Sequence, residues 1–335
     1  MALGFCLQAS AQASRLVMCG RALFFWPSKP LLCFLAAVFC SLFVSTAARR
    51  TGYILFSLFS TTAQVTCATN ALGLATTRML LLSGFRVVMQ DANVEALNEA
   101  VASLGDLARR DACYPICFDA MSASSVSAAT LRITQDAWPV YILVLGGGPV
   151  SSGCVADTDL HAWKDSFATH VEPAFLLTRA LLPTMRKRGW GRILTTCSLA
   201  GKTGGVSAGV AYSTAKGALQ TLTFALAREC AKDGITVNGI APAYANSGGP
   251  MGAPDVVARL LEVIPVGRFL EPEEVAHTVL FLCHPLSSFI TGQIIGMLRE
   301  GECRCGAEGW GGCLCCWPRM CSPGLMSILC RRDRL

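Results

Sequence analysis

Between residues 62 and 298, short apolar runs alternate with longer segments whose apolar positions recur every three or four residues. The short runs are TAQVTC (62–67), FRVVMQD (85–91), YPICFD (114–119), PVYILVL (139–145), GRILTTC (191–197), ITVNGIA (235–241) and TGQIIGML (291–298), and each has the length of a β-strand. PVYILVL is apolar almost throughout, as a strand buried on both faces is. Helices are predicted from about residue 71 to Ser83 and over 93–108, 122–135, 157–188, 211–232 and 271–285. Serines able to cap open the segment 122–135. Acids occupy the first turn of 271–285, and Pro285 stops it.

Strands alternating with helices predict an α/β fold, a single doubly wound parallel sheet with helices on both faces, Rossmann-like in arrangement. Ligands of such sheets bind at the carboxyl ends of the strands, so the residues that follow each strand carry the chemistry. After the first strand comes TCATNALG (66–73), a turn into a helix. That is where a dinucleotide-binding chain keeps its glycine-rich loop, but Cys67 and Ala71 stand where glycines are expected and Gly73 remains. Gly73 permits close approach at a helix N-terminus, where amides and dipole favour a pyrophosphate. Cys67 places a side chain where the strand turns beneath the ligand.

The sharpest chemical signal is AYSTAKGALQTLTFALA (211–227). Tyr212 and Lys216 are four apart on a predicted helix and share a face. An ammonium beside a phenol favours the phenolate, lowering its pKa from about 10 and making it a usable acid or base. Ser198 ends a strand 14 residues before Tyr212 and can bond the same carbonyl oxygen that Tyr212 protonates. Tyr and Lys at this spacing alone also describe a surface pair. A strand ending in Ser, a small-residue loop and then that pair is far more specific.

These residues resemble the short-chain dehydrogenase/reductase family over about residues 62–300, in GWGRILTTCSLAG, AYSTAKGALQTLTFALARECAKDGITVNGIAP and IPVGRFLEPEEVAHTVLFL. They are most similar to its 3-oxoacyl-acyl-carrier-protein reductase-like subgroup. The resemblance implies an NAD(P)-dependent oxidoreductase that interconverts a ketone and a secondary alcohol, with Tyr212 moving the proton, Ser198 orienting the substrate oxygen and Lys216 tuning Tyr212 and binding the nicotinamide ribose. It implies a cofactor set of Thr66, Ala71, Leu72, Gly73, Asp91, Asp119, Gly146, Tyr212, Lys216, Pro242 and Ser247, a small-molecule carbonyl or alcohol substrate, and a homodimer or homotetramer. Asp91 ends the second strand 18 residues after Gly73. A carboxylate there accepts hydrogen bonds from ribose hydroxyls and repels a 2′-phosphate, so NAD is expected ahead of NADP; otherwise Asp91 is a helix N-cap. Asp119 matches an adenine-contacting acid and is otherwise a turn residue.

The chain departs from the family pattern in several places. The Asn-Asn-Ala-Gly turn after the fourth strand reads LGGG (145–148), Ala243 follows Pro242, and the closing Val-Asp-Gly-Gly is replaced by GMLREGEC. His170 takes the place of the Asn that completes a proton relay, and either donates and accepts in its stead or only packs. These departures keep a second reading open, a Rossmann-like scaffold that binds nucleotide weakly or serves as an interaction partner. The mostly apolar or small residues of 244–265 read as a mobile lid suited to a fairly apolar carbonyl substrate.

Composition adds the termini. The chain has 335 residues, is 53% hydrophobic and carries a net charge of +6. Its basic residues form no patch with aromatics, so no nucleic-acid partner is expected. No acid precedes Asp91, and LLCFLAAVFCSLFVSTAA (31–48) is 18 residues without charge. Residues 1–60 are therefore expected to be a targeting segment, for a mitochondrion or plastid, or a membrane anchor through 31–60. Residues 61–300 are expected to form the oxidoreductase domain, and 301–335, with seven of the 18 cysteines, a poorly ordered tail. The tail lacks His and has a single CxxC spacing, Cys313 to Cys316, with no second pair to complete a site, so no metal is expected.

Overall fold

The apolar runs fold as the strands of one sheet, β1 (Thr62–Val65), β2 (Arg86–Asp91), β3 (Cys113–Cys117), β4 (Val140–Leu145), β5 (Gly191–Thr196), β6 (Ile235–Pro242) and β7 (Ile294–Met297). The computed structural model describes residues 61–205, 208–246, 254–264 and 266–297. Ser247, residues 1–60 and the Cys-rich tail, on which expectations were placed above, lie outside these. Among the described residues no helix is long and apolar enough to cross a membrane.

Every neighbouring pair of strands is parallel, in the order β3-β2-β1-β4-β5-β6-β7. The chain builds outward from β1 to β3, then returns to lay β4 against the other side of β1. This reversal opens a crevice at the carboxyl ends of β1 and β4, the position where open parallel sheets bind ligands. Alternation along β4 shows why the sheet is buried on both sides. Leu143 and Leu145 join Leu177, Leu181 and Met185 on one face, whereas Ile142 and Val144 join Leu80, Val275 and Val279 on the other. Each large aliphatic chain so buried contributes about 1.5–3 kcal/mol.

The helices are α1 (Ala71–Leu82), α2 (Val94–Ser103), α3 (Ala123–Gln135), α4 (Leu160–His170), α5 (Glu172–Arg188), α6 (Ala200–Thr203), α7 (Val210–Cys230), α8 (Pro254–Val263) and α9 (Pro272–Cys283). Their ends follow from local chemistry. Asn70, Asn93, Ser122 and Asp159 each accept a first-turn amide at an N-terminus. Glu271 and Glu274 form a reciprocal capping box on α9. Gly189, at φ 66°, closes α5 after Arg186, Lys187 and Arg188, cations that suit a helix C-terminus.

The structure corrects one expected element. The single helix over 157–188 is two, broken at Val171, where φ is −110°. Pro173 in the next turn has no N–H for the carbonyl four residues back and its ring crowds that carbonyl, so α5 restarts instead of continuing α4. Within 244–265, expected to be a mobile lid, residues Pro254–Val263 form α8.

Candidate active site

The turn after β1 carries an uncommon backbone. Cys67 has φ 49°, in the left-handed region that glycine enters freely and other residues enter at about 1–2 kcal/mol. The chain thus keeps the glycine conformation without the glycine. Gly73 is the position that tolerates no replacement, because a Cβ there would lie 2.2 Å from the Cys67 carbonyl oxygen. Asn70 accepts from the Gly73 amide at 2.8 Å, and its Nδ2 donates to the Gly147 carbonyl at 3.1 Å. Thr66 Oγ1 accepts from the Gly146 amide at 2.8 Å. A Cβ on Gly146 would lie 2.2 Å from the Thr66 carbonyl oxygen. The loops after β1 and β4 are therefore locked together, which explains the first glycine of LGGG, Gly146.

The loop after β4 reaches the candidate catalytic groups. A Cβ on Gly147 would lie 3.5 Å from Lys216 Nζ, and one on Gly148 would lie 3.1 Å from His170 Cε1. His170 ends α4 and presents its ring edge to Tyr212, with centroids 5.0 Å apart at 90°. Tyr212 lies in the first turn of α7, with Lys216 one turn later. Ser198, just beyond β5, is within hydrogen-bonding reach of the Tyr212 phenol. Lys216 Nζ donates to the Thr196 carbonyl at 2.7 Å. The structure thus brings Ser198, Tyr212, Lys216 and His170 together at the carboxyl ends of β4 and β5.

The electrostatics differ from the sequence expectation. Tyr212 is held above its ordinary pKa, not below it, because burial disfavours the phenolate. The Ser198 hydrogen bond pulls the other way. Lys216 Nζ lies 5.6 Å from the Tyr212 ring centroid, beneath the ring and bonded to backbone, so it does not offset the burial. Lys216 itself is 1% exposed, and burial pushes its ammonium down to about 8. Burial, with the Lys216 charge second, lowers His170 to about 4, so its imidazole is neutral near pH 7. His170 Nδ1 is buried without a hydrogen-bond partner among the described residues. Burial, followed by the Asp91 charge, raises the Cys67 thiol.

The other expected residues occupy defined places. Ala71 and Leu72 open α1. Asp91 is not an N-cap, since Asn93 caps α2; its carboxylate accepts from Thr69 Oγ1 at 2.7 Å and from the amides of Ala92 at 2.8 Å and Asn93 at 3.2 Å. Asp119 accepts from the Met121 amide at 2.8 Å in an exposed turn after β3. Pro242 ends β6, its carbonyl facing the Leu199 amide at 3.4 Å. Sequence reasoning missed Thr69, Asn70 and Gly147. An Asn directly before a helical run signalled the cap, but no local pattern signalled a bond to residue 147.

A nicotinamide dinucleotide fits this arrangement. The amides opening α1, the two glycines that allow close backbone approach and a buried ammonium beneath Gly147 form a cradle for phosphate and ribose oxygens.

Comparison with known proteins agrees with the architecture. The short chain dehydrogenase family description matches residues 61–253. Galactitol 2-dehydrogenase (L-tagatose-forming) of Cereibacter sphaeroides is 33% identical over 247 residues, covering 72% of this chain and 95% of that protein. Acetoacetyl-CoA reductase of Rhizobium meliloti is 34% identical over 239 residues, covering 70% and 96%. Among solved structures, a variant of actinorhodin polyketide ketoreductase with NADPH is similar at a TM-score of 0.67 and 28% identity, covering 72% of this chain and 97% of that one. The chain belongs to the short chain dehydrogenase family.

Proposed function

We propose that this enzyme interconverts a ketone and a secondary alcohol by hydride transfer, with Tyr212 as the proton donor and acceptor. The observation that carries the reading is the convergence of Ser198, Tyr212, Lys216 and His170 beside the interlocked loops after β1 and β4. The dinucleotide supplies or takes the hydride when bound. Ser198 orients the substrate oxygen at Tyr212, and the Tyr212 hydroxyl gives that oxygen its proton. Lys216 would hold the nicotinamide ribose, and its ammonium lies 5.6 Å from the Tyr212 ring centroid as the phenol ionises. Burial that raises the Tyr212 pKa keeps it protonated at neutral pH, the state needed for reduction. His170 is neutral, its ring is hydrogen-bonded to the Pro149 backbone, and its Nδ1 has no hydrogen-bond partner among the described residues, so Nδ1 is the nitrogen open to a relayed proton.

Asp91 supports NAD over NADP, because its carboxylate occupies the end of β2 where a 2′-phosphate would meet like charge. A small cavity of about 160 Å³ beyond the end of β6 is lined by the apolar Ile264, Val266, Leu270 and Met297, by Tyr244 and by the Arg268–Glu274 ion pair, which supports a carbonyl substrate with an apolar body and a polar group. The test is a titration of the full chain with NADH and NADPH, followed by nicotinamide fluorescence. Binding of either, with Tyr212→Phe abolishing turnover and leaving cofactor affinity nearly unchanged, is the expected result. Failure of both cofactors to bind at about millimolar concentration leaves the scaffold reading in its place.

A further inference from the structure

Ser198 sits on a turn between β5 and the four-residue helix α6. Its Oγ accepts from the Ala200 amide at 3.2 Å, and its carbonyl accepts from the Gly201 amide at 3.2 Å. These bonds shape the turn but do not tie it to the helix that carries Tyr212. Lys216 Nζ at the Thr196 carbonyl and Ser213 Oγ at the Gly204 carbonyl tie α7 to either side of the turn, and Gln220 ties it at the serine itself, its Nε2 donating to the same Ser198 carbonyl at 2.9 Å. Residues 212, 216 and 220 are spaced by four and form one stripe on α7. Tyr212, Lys216 and Gln220 thus address the turn after β5 from a single helix face.

The close approach depends on Gly201. A Cβ there would lie 2.7 Å from the Gly217 amide nitrogen, 2.7 Å from the Lys216 carbonyl carbon and 2.9 Å from Gln220 Nε2. With no side chain at 201, α6 rests directly on the backbone of α7, and Gln220 reaches over it to the serine. Resting on the functional reading above, we infer that Gln220 is a positioning residue, which holds the Ser198 hydroxyl against the Tyr212 oxygen by gripping the Ser198 carbonyl. The physical consequence lies at Tyr212. The Ser198 hydrogen bond favours the phenolate against burial. Releasing the turn weakens that bond, and the Tyr212 pKa then climbs.

The test reads Tyr212 directly in the cofactor-free protein. Tyrosine labelled with carbon-13 at Cζ gives one signal for each of the chain's five tyrosines, and Tyr212→Phe assigns the one that matters. Following that signal from about pH 8 to about pH 11 gives the onset of ionisation. Gln220→Met keeps the length and removes the donor; it should move the Tyr212 titration upward by roughly half a unit. In a Ser198→Ala background the same substitution should move it no further, since the effect runs through the serine hydroxyl. Gln220→Glu, which keeps the shape and replaces the donor with a carboxylate, carries the same cycle if the Met variant does not fold. A folded variant with an unmoved titration overturns the inference, as does a shift that persists without the Ser198 hydroxyl. A chain that binds no dinucleotide would overturn the functional reading and leave this measurement standing.

Discussion

The imidazole of His170 meets the ring of Tyr212 edge to face, at 5.0 Å between centroids. Burial in this position, with Lys216 nearby, takes the His170 pKa from 6.5 to about 4. The unfolded chain therefore binds a proton at this residue below about pH 6.5, while the folded chain refuses it until about pH 4. His170 contributes full stability above pH 6.5 and loses it progressively as pH falls to 4. Thermal melting at about pH 7 and about pH 5 should show a drop that is smaller in His170→Asn. Equal drops in the two proteins would place the acid sensitivity elsewhere.

Lys216 has the same charge chemistry as His170 and the same sign of pH dependence. Its pKa falls from 10.5 to about 8, so between those values the unfolded chain holds a proton that the folded one has released. Below pH 8 the folded protein bears the full cost of a buried ammonium, on the order of 3 kcal/mol. This group makes the protein more stable as pH rises from 8 toward 10.5. Lys216→Met should therefore melt at higher temperature than the parent at pH 7 while losing turnover. A lower melting temperature would mean that the bond to the Thr196 carbonyl outweighs the burial cost.

Cys67 and Gly73 share one turn but should respond differently. Cys67→Gly removes a left-handed strain of about 1–2 kcal/mol but frees the unfolded chain, which offsets part of the gain. Its stability should change by less than about 1 kcal/mol, and dinucleotide affinity, read by NADH fluorescence, should tighten where the thiol crowds the ligand. Gly73→Ala should cost at least about tenfold in affinity, because the new methyl would collide with the Cys67 carbonyl oxygen, 2.2 Å away, and push the loop off α1. Unchanged affinity in Gly73→Ala would show that the loop relaxes freely.

Asp91 holds the Thr69 hydroxyl at 2.7 Å and three backbone amides, so it organises the loop as well as presenting charge. Asp91→Ala should weaken both cofactors by loosening the loop, and should narrow the ratio of NADH to NADPH affinity by removing the repulsion of a 2′-phosphate. The ratio is the informative quantity. A parent protein that already prefers NADPH would reverse the assignment of Asp91.

Much of this was legible in sequence because it is local. Leu143 and Leu145 alternate with Ile142 and Val144, which gives β4 away as a doubly buried strand. Tyr212 and Lys216 reveal their shared face by spacing alone. The break at Val171 was missed because a proline near a helix start and one inside a helix look alike in sequence. Pro183 sits within α5 without ending it. The sign of the Tyr212 shift was missed because spacing says nothing about burial. Asn70 and Gln220 were missed because their partners, Gly147 and Ser198, lie 77 and 22 residues away.

The tie between Thr66 and Gly146 spans 80 residues. Closing so long a loop carries an entropic cost that local turns do not, and parallel pairing of β1 with β4 must precede it. The nucleotide cradle is therefore assembled from two halves that leave the ribosome far apart. Pulsed hydrogen exchange during refolding should show the Gly146 amide gaining protection together with β4, and no earlier. An early-protected Gly146 would contradict this order. The pocket is then a product of late folding, and a chain caught before β4 docks presents α1 and its Asn70 cap with no floor beneath them.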